Sequence, residues 1–163
     1  LSTLSEIKIV VVPVKGGPVD LEAFQLACQL TLESKAKLYA LYVIEVPMEL
    51  PVDAEIVEET AKAEDILGKI EGLAKEKKCP VHAEVIQARR AGPAIVQEAL
   101  ERDANLVVLG TTYKYNNGSH AIENTSFYVL SHAACPVLLW REFSPVYIAD
   151  QRNTSHAYPS NGS

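Results

Sequence analysis

Residues 106–110 read LVVLG, and this apolar run ending in glycine decides the fold. The run is too short for a helix and is apolar up to the glycine, which is typical of a parallel strand buried on both faces. A helical pattern near residues 125–134 and a second apolar run, VLLW, at residues 137–140 follow. Phosphate groups commonly bind where such a strand meets a glycine and a helix begins, because free amide groups face the ligand there. The stretch therefore predicts a parallel α/β fold with a candidate ligand site at the carboxyl end of this strand.

The same two-faced apolar pattern marks two earlier strands, at residues 7–14 and 38–44, and a more alternating pattern at 81–86 indicates a strand nearer the sheet edge. Apolar residues at helical spacing fill the segments between the strands, at 18–34, 56–73 and 92–100. Residues 111–122 are predicted to be a long polar loop. Strands that alternate with helices require right-handed crossovers and a parallel sheet with helices on both faces. We therefore expect a three-layer α/β/α sandwich.

The composition excludes two classes of protein. The chain has 163 residues, 48% of them hydrophobic, and a formal net charge of −6. This negative charge argues against a protein that binds nucleic acid, which needs a basic surface to neutralise phosphates. No segment approaches the ~18 consecutive apolar residues of a membrane-spanning helix, and the first residues lack the basic and apolar regions of a signal peptide. We therefore expect a cytoplasmic protein without nucleic-acid partners and without direct membrane insertion.

The composition changes near residue 142. Residues 1–142 hold every predicted strand and helix, and they are numerous enough for one domain with one core. Residues 143–163 are rich in Ser, Asn, Pro and Thr, which predicts a mobile carboxyl-terminal tail. The three cysteines lie in helical or pre-strand segments, so we expect free thiols rather than disulfides.

Four sequence motifs resemble those of the universal stress protein family. They read VPV at residues 12–14, LYVI at 41–44, VVLG at 107–110 and SHAACPV at 131–137, and the resemblance extends roughly from residue 7 to residue 141. It implies a five-stranded parallel sheet in the order 3-2-1-4-5, of the adenine nucleotide alpha hydrolase-like type. It also implies a homodimer formed through the last strand, which is apolar and would lie at a sheet edge. That strand consists of Val137, Leu138, Leu139 and Trp140.

The residues that bind ATP in this family are largely replaced here. ATP-binding members carry an acidic residue after the first strand and, after the fourth, a Gly, two residues, a Gly, nine residues and a Gly followed by Ser or Thr. Gly110 matches the first glycine, but Lys15 replaces the acid. Tyr113 replaces the second glycine, and Glu123 and Asn124 replace the final pair. Because added side chains obstruct a backbone that must approach phosphate closely, the resemblance implies a degenerate nucleotide site with no bound cofactor expected.

The residues predicted to border the crevice lie at the ends of the first, second and fourth strands and at the start of the last helix. They are Val14, Lys15, Val43, Gly110, Thr111, Tyr113, Asn124 and Thr125. Lys15 together with a helix cap at Asn124 or Thr125 could still hold an anion, so ATP or AMP remains an alternative ligand. No catalytic residue is predicted, because the spacing suggests no arrangement of serine, histidine and acid. No metal ligand is predicted either.

Three functional hypotheses follow. The leading one is a non-catalytic stress-response or regulatory dimer with a degenerate nucleotide site and a protein partner that the sequence does not name. The second is an ATP- or AMP-binding switch with slow ATPase activity, which calorimetry with ATP and magnesium separates from the first. The third is the cytoplasmic regulatory domain of an amino-acid permease, because residues 39–51 resemble a branch of the family that includes such domains.

Overall fold

The structure is a computed structural model that describes residues 6–116 and 119–142. The tail predicted at residues 143–163 lies outside these ranges. None of the helices in the described ranges is both long and apolar enough to cross a membrane. The elements are β1 (Ile9–Pro13), α1 (Pro18–Ser34), β2 (Lys37–Glu45), α2 (Val57–Glu76), β3 (His82–Ala88), α3 (Ala91–Glu101), β4 (Leu106–Thr111), β5 (Tyr113–Asn116), β6 (Ser119–Ile122), α4 (Asn124–His132) and β7 (Val137–Arg141).

Five strands form one parallel sheet in the order β3-β2-β1-β4-β7. β1 lies at the centre, with Val10 level with Leu38 of β2 on one side and with Leu106 of β4 on the other. Every neighbouring pair runs parallel, and β7 is the fifth strand of this sheet. The predicted order 3-2-1-4-5 is therefore confirmed.

Helices cover both faces of the sheet and divide the core in two. α1 and α2 pack on one face, where Val10 belongs to a buried cluster with Phe24. α3 and α4 pack on the other face, where Val11 belongs to a buried cluster with Val129. Because alternate side chains of a strand point to opposite faces, β1 needs an apolar residue at each position, which explains its uniform sequence. The three-layer α/β/α sandwich is confirmed.

α1 begins directly after a tight turn that follows β1. Gly16 has a φ of +104°, a conformation that favours glycine. Gly17 is the N-cap residue and Pro18 the first helical residue, since the fixed φ of proline suits a first turn and its missing amide hydrogen is not needed there. This turn brings Asp20, in the first turn of α1, back toward the end of β1.

The segment between β4 and α4 contains a β-hairpin, so the predicted loop at residues 111–122 was wrong. β5 and β6 pair antiparallel along four residue pairs. In the sequence they are separated by Asn117 and Gly118, which lie outside the described residues. Asn-Gly is the dipeptide that two-residue hairpin connections favour, and the tyrosines before it favour strands. Polar composition alone therefore does not distinguish a loop from a short polar hairpin.

The three cysteines are free thiols, as predicted. Cys28 of α1 and Cys79, which precedes β3, are buried, and Cys135 is partly buried. Burial raises the pKa of the Cys28 thiol and the pKa of the Cys135 thiol, which keeps both groups neutral. Neutral, enclosed thiols are poor nucleophiles, so these two cysteines contribute to packing rather than to chemistry.

Candidate functional site

The sheet opens a crevice at the carboxyl ends of its central strands. α1 leaves the end of β1 on one face of the sheet, whereas α4, which follows β4 in the chain after the hairpin, packs on the other face. Ligands of open α/β sheets bind where the chain diverges in this way. Two neighbouring cavities occupy the crevice, an inner cavity of about 180 Å³ and an outer cleft of about 460 Å³.

The inner cavity is mainly apolar on the β2 side and more polar on the β4 side. The apolar wall comes from the ends of β1 and β2 and from α3, and it includes Val14, Leu41, Val43, Ala91 and Ile95. The polar wall comes from the first turns of α1 and α4 and from the end of β4, and it includes Asp20, Thr112, Thr125 and Ser126. A cavity of this kind suits a molecule with one apolar end and one end that makes hydrogen bonds.

Asp20 organises the turn between β1 and α1 and also lines the inner cavity. Its Oδ2 accepts hydrogen bonds from the backbone amides of Lys15, at 2.6 Å, and Gly16, at 2.9 Å. The residue is only 8% exposed, and this burial raises the pKa of its carboxyl group, with a smaller contribution from the charge of Glu123. Hydrogen bonds from the backbone amides of Lys15, Gly16 and Gly17 act in the opposite direction. Asp20 is therefore a buried carboxyl group held in place by the backbone.

Gly110 has a packing role that requires no ligand. A Cβ atom at this position would lie 2.8 Å from the carbonyl oxygen of Val19 and 2.9 Å from Oδ1 of Asp20. Both distances are too short for a real Cβ contact, so glycine allows the first turn of α1 to approach β4. The intact glycine of the nucleotide motif is thus explained by the contact between these two elements.

Lys15 and Glu123 form an ion pair in the crevice. Nζ of Lys15 lies 3.0 Å from Oε1 of Glu123, and both residues line the inner cavity as well as the outer cleft. The side chain of Lys15 is 52% exposed and that of Glu123 is 24% exposed. An ion pair with this exposure contributes about 0–1 kcal/mol. The pair therefore borders both cavities but contributes little to the stability of the wall that they share.

The outer cleft combines cations, carboxylates and an aromatic stack. Its walls include Lys15, Glu45, Arg90, Gly92, Glu123, Asn124 and Tyr128. The guanidinium carbon of Arg90 lies 5.7 Å from the ring centroid of Tyr128, and the ring of His132 stacks on Tyr128 at 4.0 Å. A Cβ atom on Gly92 would lie 2.9 Å from the Tyr128 ring, so this glycine allows α3 and α4 to pack closely. The described carboxylates that line the cleft equal its cations in number, so the cleft is not a basic pocket of the kind that binds anions.

Six of the eight predicted site residues border one or both cavities. They are Val14, Lys15, Val43, Gly110, Asn124 and Thr125. Thr111 lines neither cavity: it is 1% exposed, and its Oγ1 has no hydrogen-bond partner within the described part of the chain. The side chain of Tyr113 is not among the described side chains. The structure thus brings together most of the predicted crevice.

The predicted helix cap at Asn124 or Thr125 was wrong. Glu123 is the N-cap residue of α4, with φ −56° and ψ 140°, and Asn124 and Thr125 are the first two helical residues. Glu123 makes no side-chain cap hydrogen bond. The helix begins one residue earlier than the polar pattern indicates, because the chain leaves the extended conformation directly after Glu123.

Sequence reasoning missed Asp20, Arg90 and the cavity residues of α3. In the sequence, Asp20 is an acidic residue in the first turn of a helix, a position that the helix dipole explains without any ligand. Ala91 and Ile95 have the spacing of core residues, and spacing does not distinguish a helix position that packs on the sheet from one that lines a cavity. These residues can be recognised as cavity-lining only in the folded structure, where the turn after β1 and the start of α3 border the same crevice.

A parallel sheet in this order, with a crevice where the chain diverges, defines an α/β fold of the nucleotide-binding type. Comparison of the sequence with known families identifies which one it is: the universal stress protein family matches residues 6–141. This chain belongs to the universal stress protein family. The resemblance drawn from its motifs is confirmed.

The relatives extend over most of the chain. A universal stress protein of Methanocaldococcus jannaschii is 33% identical over 138 residues, which are 81% of this chain and 81% of the relative. The universal stress protein of Archaeoglobus fulgidus in complex with dAMP has a TM-score of 0.64 at 15% identity, covering 82% of this chain and 96% of that one. A universal stress protein family protein of Arabidopsis thaliana with AMP bound has a TM-score of 0.59 at 16% identity, covering 94% and 97%. The structural similarity shows the fold.

Proposed function

We propose that this chain is a non-catalytic stress-response and regulatory protein of the cytoplasm, whose crevice does not bind nucleoside triphosphates. The observation that carries this proposal is the charge of the crevice. Among the described side chains, three carboxyl groups and two cations line the two cavities. They belong to Asp20, Glu45 and Glu123, and to Lys15 and Arg90. A triphosphate brings several negative charges and would meet more like charge than opposite charge.

Glu123 is the main obstacle to a phosphate group. ATP-binding members carry glycine at this motif position, whereas here a carboxylate lines both cavities and pairs with Lys15. A phosphate that bound Lys15 would have to displace this carboxylate and then remain close to it. The like charges repel each other, so the residues present do not fit a triphosphate.

The hairpin supports the same conclusion. In ATP-binding members the glycine-rich segment after the fourth strand presents its backbone closely to the phosphates. Here β5 and β6 occupy that segment and pair along four residue pairs. In a two-stranded antiparallel ladder, alternate residues of each strand use their backbone amides to pair with the other strand. Amides engaged in this ladder are not free for a phosphate.

The described histidines support a role without catalysis. His82 stacks on Tyr39 with ring centroids 5.0 Å apart, on the edge strand β3. The ring of His132 stacks on the ring of Tyr128, and Nδ1 of His132 lies 2.9 Å from the backbone carbonyl oxygen of Tyr128. Neither histidine lines the inner cavity, so neither is placed to act as a base on a ligand bound there.

Isothermal titration calorimetry with ATP and Mg²⁺ tests the proposal. We expect no binding tighter than about 1 mM, which corresponds to about −4 kcal/mol. The AMP-bound relative from Arabidopsis thaliana, titrated with AMP in the same buffer, is the positive control. Binding of ATP to this chain in the micromolar range would overturn the proposal.

A second candidate is a switch that responds to AMP or a similar adenine compound. The apolar wall of the inner cavity favours it, because Leu41, Val43 and Ile95 offer a surface for a planar base. Relatives with the same fold hold dAMP and AMP. Binding of AMP without binding of ATP would favour this candidate.

We also propose that the protein forms a homodimer through β7. This strand lies at one edge of the sheet, where Val137, Leu138 and Leu139 are only partly buried and Trp140 is 40% exposed. An uncovered apolar edge strand is an aggregation hazard that pairing with a second copy would remove. Nε1 of Trp140 donates a hydrogen bond to Oε2 of Glu22 at 2.8 Å, which holds the indole against α1 at this edge.

A further inference from the structure

The inner cavity is wider than a single ring. It extends from Val43 in β2, past Val14 after β1, to Gly110 in β4. Adjacent strands of a sheet lie about 4.8 Å apart, so a cavity that crosses three strands spans about 10 Å. This width matches a planar heterocycle with a second, smaller group attached.

The polarity of the walls changes along this width. Leu41, Val43 and Ile95 form the β2 end, whereas the carboxyl group of Asp20 and the hydroxyl group of Thr125 lie toward the other end. A nucleoside has the same division, because its base presents two apolar faces and its sugar carries hydroxyl groups. The walls therefore match a nucleoside that lies across the strand ends with its base at β2.

Asp20 offers an acceptor for the sugar. Its Oδ2 accepts the amides of Lys15 and Gly16, while Oδ1 lies on the β4 side, against Gly110. The carboxyl group is largely withdrawn from water, and this desolvation raises its pKa. A ligand hydroxyl that donates to Oδ1 would compensate the lost hydration. Hydrogen bonds to an ionised acceptor are roughly twice as strong as neutral ones.

We infer that the inner cavity binds an uncharged nucleoside in preference to its phosphates, and that Asp20 is the specificity-determining residue, because its carboxylate accepts a hydrogen bond from a sugar hydroxyl and repels a phosphate. This inference rests on the proposed loss of triphosphate binding and states what the crevice binds instead. A nucleoside leaves the ion pair of Lys15 and Glu123 intact, whereas a phosphate attached to the sugar competes with it.

Titration calorimetry with adenosine, AMP and ATP as separate probes tests the inference. Adenosine is expected to bind about tenfold more tightly than AMP, and ATP is expected not to bind. The variant Asp20→Asn keeps one oxygen for the amides of Lys15 and Gly16 but removes the charge. It should weaken adenosine binding about tenfold, since a charge-assisted hydrogen bond becomes a neutral one.

A second probe isolates the hydrogen bond. 2′,3′-Dideoxyadenosine lacks both secondary sugar hydroxyls and should bind the wild type about tenfold more weakly than adenosine. The difference between the two probes should shrink in Asp20→Asn, because both changes remove the same contact. Asp103→Asn is the matched control: Asp103 follows α3, lines neither cavity of the crevice, and has a φ of 51° that asparagine also tolerates. Thermal unfolding verifies that both variants are folded.

The outcomes separate this inference from the proposed function. Tighter binding of ATP than of adenosine overturns both. Failure of adenosine, AMP and ATP alike to bind overturns the inference and leaves the proposed function standing. Adenosine affinity that Asp20→Asn does not change overturns the role of Asp20, and a tenfold loss that Asp103→Asn does not share supports it.

Discussion

Nζ of Lys15 lies 3.0 Å from Oε1 of Glu123, so one ion pair joins the end of β1 to the start of α4. Both residues stand at positions of the nucleotide motif, where ATP-binding members carry an acid and a glycine. The two departures from the motif are therefore a single structural feature, in which a cation and an anion pair with each other. This pairing borders both cavities of the crevice.

Replacing Glu123 by Gln should raise the affinity for AMP about tenfold, or about 1.4 kcal/mol. The reason is that a carboxylate no longer repels the phosphate and Lys15 is free to pair with it. Titration calorimetry of the variant and the wild type measures the ratio. Glu76→Gln makes the same charge change at the exposed last residue of α2 and should leave AMP binding as it is. An affinity that does not rise in Glu123→Gln would show that the obstacle lies elsewhere.

Gly110→Ala should destabilise the fold by about 1–3 kcal/mol, because the new methyl group would collide with the carbonyl oxygen of Val19. Urea unfolding measures the change in free energy. Gly72→Ala is the control: Gly72 lies inside α2, an added Cβ there meets nothing within 4 Å, and alanine should stabilise that helix by about 0.5–1 kcal/mol. Equal stability of Gly110→Ala and the wild type would contradict the packing role.

Thr111→Val should leave stability unchanged or raise it by about 1 kcal/mol, because the buried hydroxyl that it removes has no partner within the described part of the chain. Thr31→Val is the matched comparison. The hydroxyl of Thr31 donates to the carbonyl oxygen of Cys28 at 3.1 Å, so its removal should cost about 1 kcal/mol. Urea unfolding of both variants decides the point, and a clear loss of stability in Thr111→Val would contradict this expectation.

The stability of Asp20→Asn relative to the wild type should depend on pH. Burial raises the pKa of Asp20 in the folded chain above its ordinary value of 3.8, so the folded state holds a proton that the unfolded state releases. The wild type therefore has this contribution in full below about pH 4 and loses it as the pH rises through the folded pKa. The variant does not titrate at this position, so it should gain relative to the wild type from about pH 4 upward, over the interval in which the folded carboxyl group loses its proton. Unfolding curves whose difference stays constant over this interval would contradict the raised pKa.

Trp140→Lys should convert the proposed dimer into a monomer. The change places a cation on the apolar edge strand, which disfavours pairing with another strand, while the new ammonium group can still contact Glu22. Sedimentation velocity measures the mass. Leu50→Lys makes the comparable change at a residue that is 42% exposed in the segment after β2, and that variant should sediment as the wild type does. A wild type that sediments as a monomer would remove the basis of the proposal.

The central strands could be predicted because burial on both faces leaves a plain mark on a sequence. Val10, Val11 and Val12 are fully buried. A polar side chain at any of these positions would be desolvated, which costs free energy unless it finds a hydrogen-bond partner. The order of the strands could not be predicted from these runs, because a run of valines does not specify which strands lie beside it. The family resemblance supplied the order. The hairpin was missed because its strands are four residues long and polar, so their pattern resembles that of a loop.

The position of the crevice could be predicted, but its chemistry could not. Lys15 and Glu123 are visible in the sequence as two departures from a motif, yet they are 108 residues apart, and only the fold shows that they meet. Asp20 is hidden for a related reason. Its role depends on how tightly the chain turns after β1, and a first-turn acid looks the same whether its carboxylate is in solvent or in a cavity.

Gly110 has a consequence for surveys of sequence databases that use the first motif glycine as a marker. The residue is required by the approach of α1 to β4, so mutational drift that erodes a ligand site would leave it in place. In this chain, therefore, the glycine reports the close approach of α1 to β4 and is not by itself a sign of a ligand. Sorting by the charge at the positions of Lys15 and Glu123 would divide the same chains by what their crevice can accept.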